Sequence, residues 1–304
     1  MSVPAFLAAY QRPVVAEIER LVSPAGDTVT AVERSMAYTA LAPSKQVRAG
    51  LVLLCAELCR GVAARAVPAA AAIELVHAAS LILDDLPSMD DAPLRRGRRA
   101  NHLEFGEPVA ILAAFGLLNL AYGSIARAYE PPLAATMTTR IAEAVGPAGL
   151  IGGQALDLEA TLREPQGGPE ERRGTTNQPI DFETLERIHR GKTGALFVAA
   201  AVCGALTAGA GAEPIAALSA YAKNLGLAFQ IVDDLLDVAG DPQETGKAVR
   251  ADARKTTFVS FSGVDGARQL AAELCDTADR ALTPFGATAD RLRELSRFVA
   301  SRRM

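Results

Sequence analysis

Apolar residues recur at three- and four-residue spacing along almost the whole chain, and the aromatic or β-branched runs that make strands are scarce. A chain patterned this way must bury helix stripes against one another, so the expected fold class is all-α. Breaks fall where Pro, Gly and polar residues gather, at 23–27, 41–44, 61–68, 87–97, 106–108 and 131–132. The clearest is 164–179, polar throughout, with charges clustered at Glu170, Glu171, Arg172 and Arg173. Two domains of typical size would fit in 304 residues. The apolar helices on both sides of 164–179 are alike in character, however. The expectation is therefore a single domain over 1–304 with a mobile surface loop near 164–179.

Composition narrows the function. There are 31 Lys and Arg against 35 Asp and Glu, a net charge of −4. That balance argues against a nucleic-acid partner, and any anionic ligand must meet a local basic cluster. Cys55, Cys59, Cys203 and Cys275 have no zinc-ligand spacing and read as reduced, buried thiols of a cytoplasmic protein. Pro4, Pro13, Glu17 and Glu19 near the start do not make a signal peptide. Two uncharged stretches, 109–126 and 194–212, approach membrane-span length. Both are Ala/Gly-rich, so no membrane span is expected, and both should be helices buried on all sides.

An acidic cluster ends an apolar helix once in each half. In the first, a helix from about Ala70 carries His77 into Asp84-Asp85, and Pro87 should stop it. A helix C-terminus carries partial negative charge, so these aspartates cost stability unless a cation meets them. Asp90 lies past the proline, where a turn can swing it back. In the second, Asp233 and Asp237 are i,i+4, Asp234 and Asp237 are i,i+3, and Gln230 lies on the same side. Hard divalent cations relieve such repulsion, and Mg²⁺ typically takes one or two carboxylates plus substrate phosphate oxygens. A solvated acidic helix end would explain either cluster alone, but two of them embedded in apolar helices point to metal.

Basic residues stand near both clusters: Lys45 and Arg48, the run Arg95-Arg96-Gly97-Arg98-Arg99, Lys192-Thr193, Lys247 and Lys255. With paired magnesium sites they describe a pocket for two phosphate esters, and a helix start at Lys192-Thr193 would add backbone donors. Ala/Leu-rich helices behind them would line a deep apolar cavity. His77, seven residues before Asp84, points toward this site, whereas His102 and His189 read as structural. No Ser-His-Asp ordering, dinucleotide loop or phosphate-loop signature is present.

These residues resemble a known family. Asp84-Asp85-Leu86-Pro87-Ser88-Met89-Asp90 with Leu94-Arg95-Arg96-Gly97 is similar to the first aspartate-rich motif of the trans-isoprenyl diphosphate synthases. Gln230-Ile231-Val232-Asp233-Asp234-Leu235-Leu236-Asp237 is similar to the second. Gly152-Gly153-Gln154-Ala155-Leu156-Asp157, Gly191-Lys192-Thr193, Gly246-Lys247 and Lys255-Thr256-Thr257-Phe258 follow in the family's order. The segment from Glu74 to Asp85 looks most like bacterial geranylgeranyl diphosphate synthases.

The resemblance implies a helical bundle around a deep central cavity, a homodimer, and Mg²⁺, three ions to a site. Asp84, Asp85, Asp90, Asp233, Asp234 and Asp237 would bind the metal. Arg95, Lys192, Thr193, Gln230 and Lys247 would hold an allylic diphosphate (dimethylallyl, geranyl or farnesyl). Lys45, Arg48, His77 and Arg96 would hold isopentenyl diphosphate. Asp84, Asp85, Asp90, Lys192, Asp233 and Asp234 would be catalytic.

One departure stands out: the family's Gly-Gly-Lys-Arg-x-Arg-Pro segment reads Pro43-Ser44-Lys45-Gln46-Val47-Arg48-Ala49, with Gln46 in place of an arginine. Chain length in the family depends on residues four and five before the first aspartate, here Ser80 and Ala79. Small residues there favour an all-trans C20 product over C15. A class I terpene cyclase and a catalytically silent partner subunit are the competing readings.

Overall fold

The computed structural model describes residues 5–24, 28–163, 180–239 and 256–301. Its helices are α1 (Ala5–Val22), α2 (Ala31–Ala40), α3 (Val47–Leu58), α4 (Ala63–Asp84), α5 (Asn101–Phe105), α6 (Glu107–Ala128), α7 (Pro131–Val145) and α8 (Leu150–Arg163). After them come α9 (Phe182–His189), a π turn (Arg190–Gly194), α10 (Ala195–Thr207), α11 (Ala212–Ala239), α12 (Phe258–Ala281), a 3₁₀ segment (Thr283–Ala289) and α13 (Asp290–Ala300). The only strands among the described residues are β1 (Leu94–Arg95) and β2 (Arg98–Arg99), a two-residue antiparallel hairpin. The fold is all-α. The expected loop near 164–179 lies outside the described residues.

α10 sits at the centre, against α3, α11, α7 and α4, while α4 also packs on α6 and α1. Phe197, Ala200, Ala201, Cys203 and Ala205 of α10 are fully buried, as a helix that is apolar all round requires. A smaller core lies under the second acidic cluster, built from Leu185, Ile231, Leu235 and Phe258. All four cysteines are free thiols, three of them buried.

Three sequence expectations change. The break at 61–68 shrinks to the turn before Ala63, because Pro68 is accommodated inside α4. The Tyr129 hydroxyl accepts from Ala69 N at 3.2 Å and donates to Arg65 O at 2.8 Å, and so bridges the i→i−4 ladder beside the proline. The stretch 194–212 does not form one long helix: α10 ends at Thr207, and Gly209 turns the chain with φ 70°. Nor is α6 buried on all sides. Leu112 and Phe115 are 56% and 58% exposed, because α4 and α7 cover only its other faces. By length and composition alone, α4, α6 and most of α11 are apolar enough to cross a membrane.

Candidate active site

The first acidic cluster closes α4. Past Pro87 the chain turns back, so that Asp90 N donates to Asp84 O at 2.9 Å and Ala92 N to Asp85 O at 3.3 Å. Asp90 returns to the pair as its spacing allowed. The hairpin then reverses at Arg96 (φ 54°) and Gly97 (φ 72°), the double left-handed turn that suits two-residue hairpins. This turn sends Arg95 onto Asp85: its Nε donates to both carboxylate oxygens, at 2.9 and 3.1 Å, and a terminal nitrogen also bonds Oδ1. Burial alone would lower the arginine's pKa, but Asp85 first, then Asp84 and Asp90, raise it. The unfavourable helix-end charge is thus met by a guanidinium of the chain itself.

The hairpin is clamped from α2. Arg98 stacks 3.7 Å above the Tyr38 ring and donates to Tyr38 O, while Tyr38 Oη donates to Arg99 O. Buried Asn101 donates to Ser35 O and Thr39 Oγ1, and accepts from Ser35 Oγ.

A second group of cations lies one step up α4. Arg48, in the first turn of α3, approaches His77 Nε2 at 3.3 Å and lies 4.8 Å above the Phe197 ring and 5.8 Å from that of Phe229. Burial, with Arg48, Arg96 and Arg95 nearby, holds His77 well below its ordinary pKa. The imidazole is therefore neutral and accepts from Arg48. Arg96 reaches Ala42 O at 3.4 Å. Between these guanidiniums lies Glu74, a buried carboxylate that accepts from Ala49 N at 3.0 Å. Gln11 of α1 donates to Ser44 O and Lys45 O at 3.2 and 3.3 Å.

The second acidic cluster is held differently. Asp234 is buried and accepts from Gln230 Nε2 at 2.9 Å and from Phe258 N at 3.1 Å. Thr193 Oγ1 donates to Gln230 Oε1 at 2.8 Å, which fixes the amide's orientation. Asp233 and Asp237 are partly exposed beside it.

Lys192 and Thr193 do not open a helix, as the sequence suggested. They sit in the π turn of one continuous helix from α9 into α10, so the expected free backbone donors of a helix start are absent there. The turn is pressed against α8, where a Cβ on Gly153 would come within 2.2 Å of Lys192 N. That close approach lets Lys192 Nζ reach Asp157 Oδ2 at 2.8 Å. From the same helix Gln154 touches Met89 Sδ, in the first acidic loop, at 3.8 Å.

α8 thus links the first acidic loop to Lys192, and Arg48 lies near the ring of Phe229 on α11. The contacts join Asp85 to Arg95, Arg48 to His77, Lys192 to Asp157, and Thr193 through Gln230 to Asp234, while Lys247 and Lys255 lie outside the described residues. Glu74, Gln11 and Asn101 were not singled out from the sequence. A lone carboxylate within an apolar helical stretch was a usable signal for Glu74, and nothing local marked the other two.

Among the described residues no three His, Cys, Asp or Glu side chains form a metal site by themselves. Carboxylates at two helix ends flanked by cations still fit a hard divalent ion, because Mg²⁺ shares its shell between one or two carboxylates and phosphate oxygens.

A family model described as polyprenyl synthetase matches residues 29–276. The chain belongs to that family. A farnesyl diphosphate synthase of Escherichia coli is 40% identical over 273 residues, covering 87% of this chain and 86% of the relative. A mitochondrial geranylgeranyl pyrophosphate synthase of Arabidopsis thaliana is also 40% identical, covering 86% of this chain and 77% of the relative. Among solved structures, an FPP/GFPP synthase from Zymomonas mobilis superposes with a TM-score of 0.81 at 32% identity, covering 97% of this chain and 98% of that one. A Helicobacter pylori geranyltransferase complexed with magnesium and isoprenyl diphosphate gives a TM-score of 0.82 at 26% identity, covering 99% and 98%. This polyprenyl synthetase is a trans-prenyltransferase of the farnesyl or geranylgeranyl diphosphate synthase type.

Proposed function

We propose that the protein condenses isopentenyl diphosphate head to tail with dimethylallyl, geranyl and farnesyl diphosphates to release all-trans geranylgeranyl diphosphate. The observation that carries the reading is Arg95 on Asp85 at one aspartate-bearing helix end while Thr193, beside Lys192, reaches Asp234 at the other through Gln230. Asp84, Asp85 and Asp90 with Asp233, Asp234 and Asp237 would hold Mg²⁺, three ions to a site, which when bound supplies positive charge to the leaving diphosphate.

Arg95, Lys192 and Lys247 bind the allylic diphosphate and take up the negative charge that develops as the C–O bond breaks. Thr193 and Gln230 orient beside them. Lys45, Arg48, Arg96 and neutral His77 hold the second diphosphate, so that its double bond lies about 3 Å from the allylic carbon. The new C–C bond leaves a tertiary cation, and its neighbouring proton passes to the released diphosphate. Apolar helix faces exclude water meanwhile.

Relatives at equal identity carry C15 and C20 names, so product length must come from this chain's own residues. Ala79 is fully buried, and Ser80 is partly open, with its hydroxyl donating to His77 O. Five helical residues span about 7.5 Å, one or two isoprene units below Asp84. Small side chains at that depth leave room for a C20 tail.

The exposed apolar face of α6 at Leu112 and Phe115 supports a homodimer. Two-thirds of the apolar window of α4 is buried by protein, which supports core helices rather than membrane spans. Free thiols support a reducing cytoplasm. The net charge of −4 speaks against nucleic acid.

The test is incubation with Mg²⁺, labelled isopentenyl diphosphate and each allylic primer, with chelator and Ala79→Phe and Ser80→Phe variants. Accumulation of C20, abolished by chelator and shortened to C15 in at least one variant, is expected. A wild-type C15 end product would replace the C20 reading. Diphosphate release with cyclic hydrocarbon would indicate a cyclase, and no turnover a silent subunit.

A further inference from the structure

Taking Lys45, Arg48, His77 and Arg96 as the isopentenyl diphosphate subsite, we propose that Glu74 and Gln11 are its positioning residues. Neither carries chemistry of its own: Gln11 of α1 holds the segment before α3, and Glu74 of α4 holds the first turn of α3.

The segment needs holding. Gln46 sits at φ 47°, a left-handed conformation that a non-glycine residue keeps only when its surroundings enforce it. Gln46 precedes α3 at the N-cap position but makes no side-chain cap bond, so it satisfies none of the helix's free N–H groups. Glu74 does this from another helix, by accepting from Ala49 N at 3.0 Å. Its carboxylate lies in the field of both Arg48 and Arg96, which offsets part of the burial that raises its own pKa. The same charge favours the protonated form of Arg96 against burial. Removing it would take from Arg48 and Arg96 the anion they share, and leave Arg96 facing the like charge of Arg95 where a diphosphate should find both guanidiniums aligned.

Before α3, the Gln11 amide donates to the carbonyls of Ser44 and Lys45, which fixes the peptide that carries the Lys45 side chain. His77 is one turn beyond Glu74 on α4 and meets Arg48. The face that caps α3 therefore also sets the guanidinium. A segment left loose must be ordered by its ligand, and the loss falls on the affinity of that ligand alone.

The experiment measures kcat and both Michaelis constants for Gln11→Ala, Glu74→Ala and Glu74→Gln, with thermal midpoints and calorimetric titration of isopentenyl diphosphate onto each protein. The expected result is a rise in KM for isopentenyl diphosphate of about fivefold in Gln11→Ala and about thirtyfold in Glu74→Ala. Glu74→Gln keeps an acceptor for Ala49 N but not the charge, and falls between them. Saturated turnover and the allylic KM should stay within about twofold. If Glu74→Ala does not fold, the other two variants decide.

A parallel rise in both Michaelis constants, or an unchanged KM for isopentenyl diphosphate in Gln11→Ala and Glu74→Gln, overturns the proposal. A wild type that does not elongate yet binds isopentenyl diphosphate, with weaker binding in the variants, sinks the proposed activity and leaves this inference standing. A wild type that does not bind it sinks both.

Discussion

The two aspartate-rich helix ends look alike in sequence, and different groups of the chain meet their buried carboxylates. At the end of α4, buried Asp85 is neutralised by the forked guanidinium of Arg95, with side-chain exposures of 3% and 16%. At the end of α11, Asp234 is also buried and accepts from a side-chain amide and from a backbone N–H. The first end is an ion pair whose cation must be shared with any anionic ligand. At the second, the Gln230 amide that meets the carboxylate is itself held by Thr193.

Removing each carboxylate should separate the two. Asp85→Ala strands Arg95 in a largely buried site, and breaking such a pair costs about 3 kcal/mol, at the low end because Asp84 and Asp90 remain near the guanidinium. Asp234→Ala leaves Phe258 N unpaired while the Gln230 amide can turn elsewhere, at a cost of about 1–2 kcal/mol. Elongation should fall at least about a hundredfold in both. Urea denaturation reads the difference, and equal destabilisation would erase the contrast.

A smaller effect should appear only at the second end. Thr193→Val removes the hydroxyl that holds Gln230 Oε1, and leaves the amide that donates to Asp234 less fixed in place. The expected loss is about 1 kcal/mol, or about fivefold in kcat/KM, with recovery in Thr193→Ser. Steady-state kinetics on both variants measure this. No recovery in the serine variant would mean that the methyl packing, rather than the hydroxyl, sets the rate.

The all-α fold and both acidic ends were legible because helical periodicity is local, and i,i+3 or i,i+4 spacing states which side chains share a face. What stayed hidden depends on distant partners. The Arg95–Asp85 pair needs the left-handed turn at Arg96 and Gly97, which bends a run of arginines back by ten residues. The Glu74 cap joins residues 25 apart, and the Gln11 tether spans 33. The π turn at Lys192 arises where Gly153 and Gly191 let α8 press on the helix, a contact between distant segments, so no helix starts at Lys192-Thr193. The outer face of α6 carries the larger side chains Ile111, Leu112 and Phe115 and the inner face mostly alanine, so apolar content alone does not tell the two apart.

The smallest difference is one of pH and belongs to the first end, where neutral His77 borders the cations above α4. Its folded-state pKa is depressed below the unfolded value, by burial first and then by Arg48, Arg96 and Arg95. As pH falls through about 6.5 the unfolded chain takes up a proton that the folded chain refuses, so stability drops, with a slope of at most about 1.4 kcal/mol per pH unit. Above that range the contribution vanishes. Glu74 works in the opposite sense, because its raised pKa lets the folded state bind a proton first as pH falls toward the carboxylate range. His77→Gln keeps the Glu74 contribution and removes the imidazole's, so the difference between the two proteins isolates His77. Thermal or urea midpoints from pH 7.5 to 5.5 should decline more steeply in the wild type than in His77→Gln. Parallel curves would mean that the imidazole is protonated inside the fold and that Arg48 is held by something else.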